Sequence, residues 1–285
     1  MLEDMDSLHV LVLLSRFIWL LFILSILLGT DLPYVSNAYI RQLGHYGKLA
    51  GHEQHGSPAS SSNGWIPALT RELDRLSLPA RLVWASFYAI ASAVNLAALL
   101  MLLPSPPLVL ALLQAHLVRR LLETLAITRF SPNRREHPLG QLVGVTFYLL
   151  LSPSVALEWT VLSPKPSLPS VVAGTVMFLV GNLAQHVAHR ELASLRTGKG
   201  ELGEYKVPVG WLFQNVSVCP HYTCELTIYL GLAVIGGLLP CQLLALIFSA
   251  GNLSLTAVRT KRLYASRGGH GASKLSRFAI IPYVL

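Results

Sequence analysis

The sequence predicts an all-α polytopic membrane protein with about seven transmembrane helices. Of its 285 residues, 53% are hydrophobic and only 13% are charged, about half the charged share of a typical globular protein. The mean hydropathy is +0.53, and long apolar runs recur along the chain. Because a bilayer core about 30 Å thick needs roughly 20 apolar residues of helix, these runs are long enough to cross it.

The predicted spans follow one another along the chain. They occupy residues 8–29, 81–103, 107–128, 140–162, 168–189 and, as two further helices, 224–262. The last stretch is divided at Gly236, Gly237 and Pro240, since glycine and proline disfavour a helix interior. Residues 1–80 then hold the first helix and a variable polar loop, 81–162 the next three helices on the substrate side, and 163–285 a C-terminal domain.

The positions of lysine and arginine predict the orientation. Eighteen of the 22 basic residues fall in segments 41–81, 129–135, 190–206 and 259–277, which seven spans place on one side. The positive-inside rule makes that side cytosolic and puts the C-terminus in the cytosol. Topology thus accounts for the net charge of +8, and no nucleic-acid partner is predicted.

Motifs of soluble nucleotide-binding folds and of metal sites do not occur. The chain has no Walker loop, no G-x-G-x-x-G motif and no nucleophile elbow. The C-x-H-x-x-C run from Cys219 to Cys224 and the pair His186 and His189 do not match the usual zinc spacings. We therefore expect no metal.

The third span carries ionisable residues. His116, Arg120 and Glu123 lie at i, i+4 and i+7, so they share one helix face. A charge at mid-membrane costs about 2.5–3.5 kcal/mol on insertion scales, and such residues usually mark a site. The alternative is a structural Arg120–Glu123 ion pair with His116 packed beside it.

A second polar segment runs from Asn182 to Tyr229. Asn182, His186, His189 and Arg190 fall at i, i+4, i+7 and i+8 at the predicted cytosolic end of the fifth span, so they form one stripe. Such a stripe suits a phosphate-bearing ligand that enters from the cytosol. An ordinary helix end whose basic residues meet lipid headgroups explains the composition equally well.

Several spaced motifs then occur in a fixed order and resemble the steroid 5α-reductase family, in particular its polyprenol/polyprenal reductase branch, which forms dolichol. The C-terminal motifs are Asn182 to Arg190, Tyr205-Lys206-Val207-Pro208-x-Gly210-x-x-Phe213, Pro220-His221-Tyr222-x-x-Glu225, Tyr229 and Arg262-Leu263-Tyr264. The branch also favours His-x-x-Arg-Arg-x-x-Glu in the third span and a Phe-Tyr pair in the second, present here as His116, Arg119, Arg120, Glu123 and Phe87-Tyr88.

The resemblance implies a seven-helix reductase of the endoplasmic reticulum membrane that binds NADPH between its helices, in a pocket open to the cytosol. Its substrate is a long-chain polyisoprenoid, its surroundings are membrane lipid, and no obligate protein partner is implied. By position, the cofactor-binding residues are Asn182, His186, Arg190, Tyr205, His221, Glu225, Arg262 and Tyr264. His186 stands where steroid-reducing members carry an acid, and Leu117 stands in the place of their catalytic tyrosine.

The implied reaction is reduction of the α-isoprene double bond of polyprenal, which supplies dolichol for protein N-glycosylation. Hydride adds to an alkene carbon when the resulting charge delocalises, and an enal provides that by becoming an enolate. The enolate oxygen then needs a hydrogen-bond donor, and the α-carbon needs a proton. We predict that His116 polarises the carbonyl, with Tyr88 or Tyr222 as alternatives, and that Arg120 and Glu123 orient His116.

Three alternatives belong to other substrates or classes. A 3-oxo-steroid Δ4 5α-reductase keeps the family and changes the substrate. An isoprenylcysteine methyltransferase-like enzyme shares the small helical membrane architecture but binds S-adenosylmethionine, whose cation favours carboxylates over an arginine cluster. A lipid-binding or transport protein explains the spans but not the polar residues gathered at one predicted mouth.

Overall fold

The computed structural model describes residues 2–28, 75–131, 134–196, 206–267 and 275–280. Most of the predicted polar loop and the predicted cofactor-binding Tyr205 therefore lie outside the described residues. The helices are α1 (Leu2–Leu28), α2 (Ala80–Met101), α3 (Leu108–Ala126), α4 (Pro138–Leu162), α5 (Leu168–Ser194), the short α6 (Trp211–Asn215), α7 (Pro220–Ile235) and α8 (Pro240–Arg267). Two short strands, β1 (Leu78–Pro79) and β2 (Arg135–Glu136), complete the described elements.

A helix of the structure coincides with each predicted span. The division of the last apolar stretch is confirmed, because α7 ends at Ile235 and α8 begins at Pro240. Gly237 between them has a φ of +79°, a left-handed conformation that glycine adopts without strain.

Five helices in the described ranges, α1, α2, α4, α5 and α8, are long and apolar enough to cross a membrane. The other two predicted spans differ for physical reasons. Helix α3 carries Arg119, Arg120 and Glu123 in its 19 residues, and α7 has only 16 residues, or about 24 Å of helix. Seven spans, and the pocket open to the cytosol, therefore remain predictions.

The two strands are a small departure from the predicted all-α fold. They pair antiparallel, Leu78 opposite Glu136 and Pro79 opposite Arg135. Ala80 N–H also donates to the Arg134 carbonyl at 3.0 Å. The segments that lead into α2 and α4 lie side by side, so their backbone groups hydrogen-bond each other.

Basic side chains tie several helix ends together at one end of the bundle. Arg81, at the start of α2, donates to the Leu125 carbonyl near the end of α3 at 2.8 Å. Arg196, just after α5, donates to the Arg129 carbonyl, just after α3. We call this end, defined by Arg81, Leu125, Arg129 and Arg196, the basic end.

Helices α5 and α7 approach each other closely through glycine. A Cβ atom built on Gly174 would lie 2.6 Å from the Gly231 carbonyl oxygen, and one built on Gly231 would lie 2.7 Å from the Gly174 oxygen. Backbone cannot yield as a flexible side chain can, so both positions require glycine. This contact fixes α5 against α7, the two helices that hold most of the polar segment found in the sequence.

A buried polar cluster joins α1, α4 and α8 away from the basic end. Glu158 of α4 is fully buried and accepts from Arg16 Nε at 2.7 Å and from the Cys241 backbone N–H at 2.9 Å. Beside it, the Trp19 indole donates to Ser154 at 3.3 Å. The Glu158 carboxylate of α4 thus connects α1, through Arg16, to the start of α8, through Cys241.

Candidate functional site

The polar face predicted for α3 is buried in the bundle. His116 is 1% exposed, Arg120 9% and Glu123 2%. Their side chains lie on one face of α3, directed towards α5, whereas the side chains of Leu122 and Leu125 on other faces are exposed. The prediction of a shared buried face is therefore confirmed.

Glu123 is the centre of a network between α3 and α5. Its Oε1 accepts from Arg119 at 2.5 Å and lies 2.7 Å from His186 Nδ1. Its Oε2 accepts from Arg120 at 2.6 Å and lies 2.9 Å from His189 Nδ1. The Arg120–Glu123 ion pair of the structural alternative is present, but within a larger group of titratable side chains.

Asn182, Arg119 and Glu225 contact His116. Asn182 Nδ2 donates to the Phe178 carbonyl at 2.7 Å, so Asn182 Oδ1 faces His116 as an acceptor. His116 Nδ1 lies 3.0 Å from this oxygen and 3.3 Å from Arg119 Nη2. Because an amide oxygen only accepts, a hydrogen bond between His116 and Asn182 has Nδ1 as its donor. On the other side of the ring, Nε2 lies 3.5 Å from Glu225 Oε1.

These contacts correct the predicted positioning of His116. Arg120 and Glu123 were expected to orient it, but Asn182 of α5 and Glu225 of α7 flank its two nitrogens. Arg120 instead faces His189 and Tyr88. The reason is their position along the helix axis, because Arg120 and Glu123 lie about one and two turns further towards the basic end than His116.

Among the described residues, the tyrosine whose ring contacts His116 is Tyr229, which was not a predicted catalytic residue. Their ring centroids are 6.3 Å apart in an edge arrangement. Tyr88 is buried in the same region and accepts from Arg120 Nη2 at 3.0 Å. Its ring lies 5.8 Å from that of Tyr148 on α4, so phenol groups from three helices gather near His116.

Tyr222 lies in a different place from the predicted catalytic set. Its ring centroid is 4.2 Å from that of His221, and it packs against a small core formed by Val218, Ala257 and Tyr264. That core joins the start of α7 to the last turns of α8. The structure thus groups Tyr222 with predicted cofactor-binding residues.

Gln185 connects the three helices of the site and is 2% exposed. Its Oε1 accepts from Arg119 of α3, and its Nε2 donates to Glu225 and, at 3.2 Å, to the His221 carbonyl of α7. One amide therefore connects the surroundings of His116 to those of His221.

The structure places the described members of the predicted cofactor-binding set in different surroundings. Asn182 and Glu225 flank His116, and the side chain of His186 contacts Glu123 with 37% of its surface exposed. His221 lies buried between His189, 5.7 Å away ring to ring, and Tyr222. Tyr264 is buried and the remaining two, Arg190 and Arg262, are exposed.

Four residues of this network were not among the predicted catalytic or cofactor-binding residues. The predicted stripe of α5 included His189 without a role, and the same helical periodicity could have added Gln185, at i+3 from Asn182. Arg119 occurs in the motif of the third span. Tyr148 has no such signal, because it is a neutral aromatic residue beside Phe147 in an apolar span.

Metal ligation has no support in the part of the chain that the structure describes. There, no group of three or more His, Cys, Asp or Glu side chains is arranged to hold an ion. His186 and His189 instead share the Glu123 carboxylate.

Known proteins resemble this chain over most of its length. The polyprenal reductase of Saccharomyces cerevisiae is 26% identical over 269 residues, which are 92% of this chain and 93% of the yeast protein. Polyprenal reductase 1 of Oryza sativa subsp. indica is 31% identical over 210 residues, and polyprenal reductase of Danio rerio is 33% identical over 194.

The rice and zebrafish alignments cover 62% and 61% of this chain and only 58% and 59% of those relatives. The family model described as 3-oxo-5-alpha-steroid 4-dehydrogenase matches residues 135–285, more than half of the chain and all of α4 to α8. On this match the chain belongs to the 3-oxo-5-alpha-steroid 4-dehydrogenase family, the steroid 5α-reductase family that its spaced motifs predict.

Proposed function

We propose that the protein is an oxidoreductase that uses NADPH to reduce the α-isoprene double bond of polyprenal, giving dolichal on the route to dolichol. The observation that carries this proposal is His116, buried between Asn182 and Glu225 at the junction of three helices. The relatives named polyprenal reductase in plants, yeast and vertebrates support the substrate.

The side chains of the site fit a nicotinamide dinucleotide. Asn182, Gln185 and Glu225 offer the amide and carboxylate groups that pair with a carboxamide. Exposed Arg190 and Arg262 suit phosphate, and the guanidinium fork favours the 2′-phosphate that distinguishes NADPH. When bound, this cofactor supplies the hydride.

The rings of His189, His221 and Tyr222 form a path from the network around Glu123 to the core that holds Tyr264. Neighbouring centroids are 5.7 and 4.2 Å apart, and Tyr222 packs against that core. The path connects α5, α7 and α8. The dinucleotide is assigned to lie along this path, between the reacting site and the basic end.

His116 is assigned as the donor to the carbonyl oxygen of the enal. Its Nδ1 faces Asn182, and its Nε2, which lies beside Glu225, is assigned to donate towards the substrate oxygen. Negative charge develops on that oxygen during the reaction, so a donor held in place by buried neighbours stabilises the transition state.

The tyrosines are candidates for delivery of the proton to the α-carbon. Tyr229 lies beside the His116 ring, and Tyr88 is held by Arg120. A phenol that accepts a hydrogen bond from an arginine keeps its own proton available for transfer. Tyr229 is the preferred donor because of its place next to His116.

The proposed setting is the membrane of the endoplasmic reticulum, with the basic end and the C-terminus in the cytosol. The described basic end gathers Arg81, Arg129 and Arg196, as expected for a cytosolic face. Polyprenal then reaches the helices from the bilayer, and NADPH reaches them from the cytosol.

The proposal is tested by incubating detergent-purified protein with NADPH and polyprenal, with polyprenol and testosterone in parallel reactions. Mass spectrometry follows dolichal, and absorbance follows NADPH. Dolichal from polyprenal alone supports the reaction, cofactor and substrate together. Turnover of testosterone alone moves the substrate to steroids, and failure to bind NADPH contradicts the reductase and makes S-adenosylmethionine the next ligand to test.

A further inference from the structure

Four side chains from three helices form a closed ring of contacts at the centre of the site. His116 Nδ1 lies 3.3 Å from Arg119 Nη2, both on α3. Arg119 Nη2 donates to Gln185 Oε1 of α5, and Gln185 Nε2 donates to Glu225 Oε2 of α7. Glu225 Oε1 lies 3.5 Å from His116 Nε2 and closes the ring. Each nitrogen of His116 therefore faces a charged group, and Gln185 contacts both of those groups.

The amide of Gln185 has a single orientation that fits its neighbours. A guanidinium can only donate and a carboxylate can only accept, so Oε1 faces Arg119 and Nε2 faces Glu225. The second N–H of Nε2 donates to the His221 carbonyl at 3.2 Å. Both N–H groups are thus occupied inside the protein, and the side chain is 2% exposed. Gln185 therefore acts chiefly on its neighbours and leaves a ligand only one lone pair of Oε1.

Gln185 lies between two opposite charges, because its amide contacts Arg119 on one side and Glu225 on the other. In a buried site an ion pair attracts far more strongly than in water, so removal of the amide would let the two charges pair directly. Such a pair would draw Arg119 away from Asn182, to which its Nε donates at 2.9 Å, and would draw Glu225 away from His116. The amide therefore keeps both charged groups in their places beside the imidazole ring.

Nε2 of His116 is a buried nitrogen beside a carboxylate to which it is not hydrogen-bonded. His116 is 1% exposed, and among the described residues Nε2 has no hydrogen-bond partner. Buried polar groups usually find a partner, and Glu225 Oε1 at 3.5 Å would become one after a small shift. The hydrogen bond from Gln185 to the other oxygen of this carboxylate opposes that shift. Nε2 is thereby left for an oxygen atom of a ligand.

We propose that Gln185 is a positioning residue, which acts through Glu225 to keep Nε2 of His116 available for the carbonyl oxygen of the enal. The inference rests on the proposed function, because that function supplies the oxygen. The fold supports it locally. A Cβ atom built on Gly181 would lie 3.2 Å from the Cys224 carbonyl oxygen, so α5 and α7 approach closely about one turn from Gln185 and keep Glu225 within reach of its amide.

The kinetic test removes the amide and keeps the length of the side chain. Gln185→Met should lower kcat for polyprenal about tenfold and leave the KM for NADPH unchanged. In a Glu225→Gln background the same change should lower kcat by about twofold or less, because the group through which Gln185 acts is already altered. The control is Gln114→Met, which removes an amide that bonds Asn95 and Ser92 between α2 and α3 and should leave kcat unchanged.

Two outcomes of this double-mutant cycle overturn the positioning role. Equal falls of kcat in both backgrounds would mean that Gln185 does not act through Glu225. A raised KM for NADPH with an unchanged kcat would make Gln185 a cofactor contact. If Gln185→Met does not fold, Gln185→Asn takes its place in the cycle, because its amide is one methylene too short to span Arg119 and Glu225 and the same pattern is expected.

A second measurement needs no turnover. Solid-state NMR of protein labelled with ¹⁵N-histidine in lipid bilayers gives the chemical shifts of the His116 ring nitrogens, which are assigned by their loss in His116→Ala. The Nε2 shift should move in Gln185→Met and stay in Gln114→Met, and an unmoved shift in Gln185→Met overturns the proposal. The expected shift change in a protein that reduces no enal contradicts the proposed function and leaves the role of Gln185 beside His116 standing.

Discussion

Glu123 and Glu158 are both buried carboxylates paired with arginine, yet their surroundings differ. Glu158 accepts from Arg16 and from the backbone N–H of Cys241, where α1, α4 and α8 meet. Glu123 has two arginines and two histidines around it. The first cluster consists of groups that hold helices together, whereas the second contains groups that can take up and release protons.

The comparison shows that a buried ionisable residue in an apolar helix bundle does not by itself identify a functional site. The hydrogen-bond partners of the residue distinguish a packing role from a functional one. A carboxylate satisfied by one cation and a backbone N–H can serve packing alone, as Glu158 does beside the aromatic contact of Trp19 with Phe147 at 5.4 Å. Glu123 is connected through Arg119 to Asn182, and so to the immediate contacts of His116.

The largest effect is expected for His116→Ala. Removing the donor to the developing oxyanion should lower kcat by about 10²–10⁴-fold, the usual contribution of a positioned acid or base. NADPH binding, measured by fluorescence titration, should persist. Near-normal turnover with bound NADPH would remove His116 from the mechanism.

The next prediction tests the two carboxylates directly with matched amide variants. Glu123→Gln weakens charge-assisted hydrogen bonds inside the site and should lower kcat/KM by about tenfold to a hundredfold. Glu158→Gln should lower the Tm and leave kcat close to the wild-type value. Thermal unfolding followed by fluorescence, together with steady-state kinetics, checks both; the same loss of kcat in both variants would abolish the distinction.

Arg190→Gln and Arg262→Gln test the two exposed arginines that are proposed to bind phosphate. If either arginine binds the 2′-phosphate, its variant should raise the KM for NADPH by about tenfold and leave the KM for NADH unchanged. Lys165→Gln, in the connection between α4 and α5, is the control for a general loss of positive charge. Equal kinetics with the two cofactors in the wild type would contradict the NADPH assignment.

The smallest effect separates the tyrosine found in the structure from one predicted by the sequence. Tyr229→Phe removes one neutral hydrogen bond and should lower kcat about five- to tenfold. Tyr222→Phe, in the α7–α8 core, should change the KM for NADPH more than kcat. The reverse pattern would assign a catalytic role to Tyr222 instead of Tyr229.

The sequence predicted what depends on local periodicity. Apolar runs located the helices, and the spacing of His116, Arg120 and Glu123 predicted their common buried face. Local periodicity could not predict contacts between helices that are distant in sequence. Arg16 and Glu158 are 142 residues apart, and no local pattern around either residue indicates the other as its partner. The same limit explains why Asn182 and Glu225 were not expected to flank His116, and why the β1–β2 pair was missed.

The most direct test of the central claim is the fate of deuterium from NADPH deuterated at the transferring position of the nicotinamide ring. With purified protein and polyprenal, we expect dolichal with one deuterium on the β-carbon of the former enal, and a solvent-derived proton on the α-carbon. Deuterium on the carbonyl carbon, with the double bond intact, would show reduction of the aldehyde to polyprenol and contradict the proposed function.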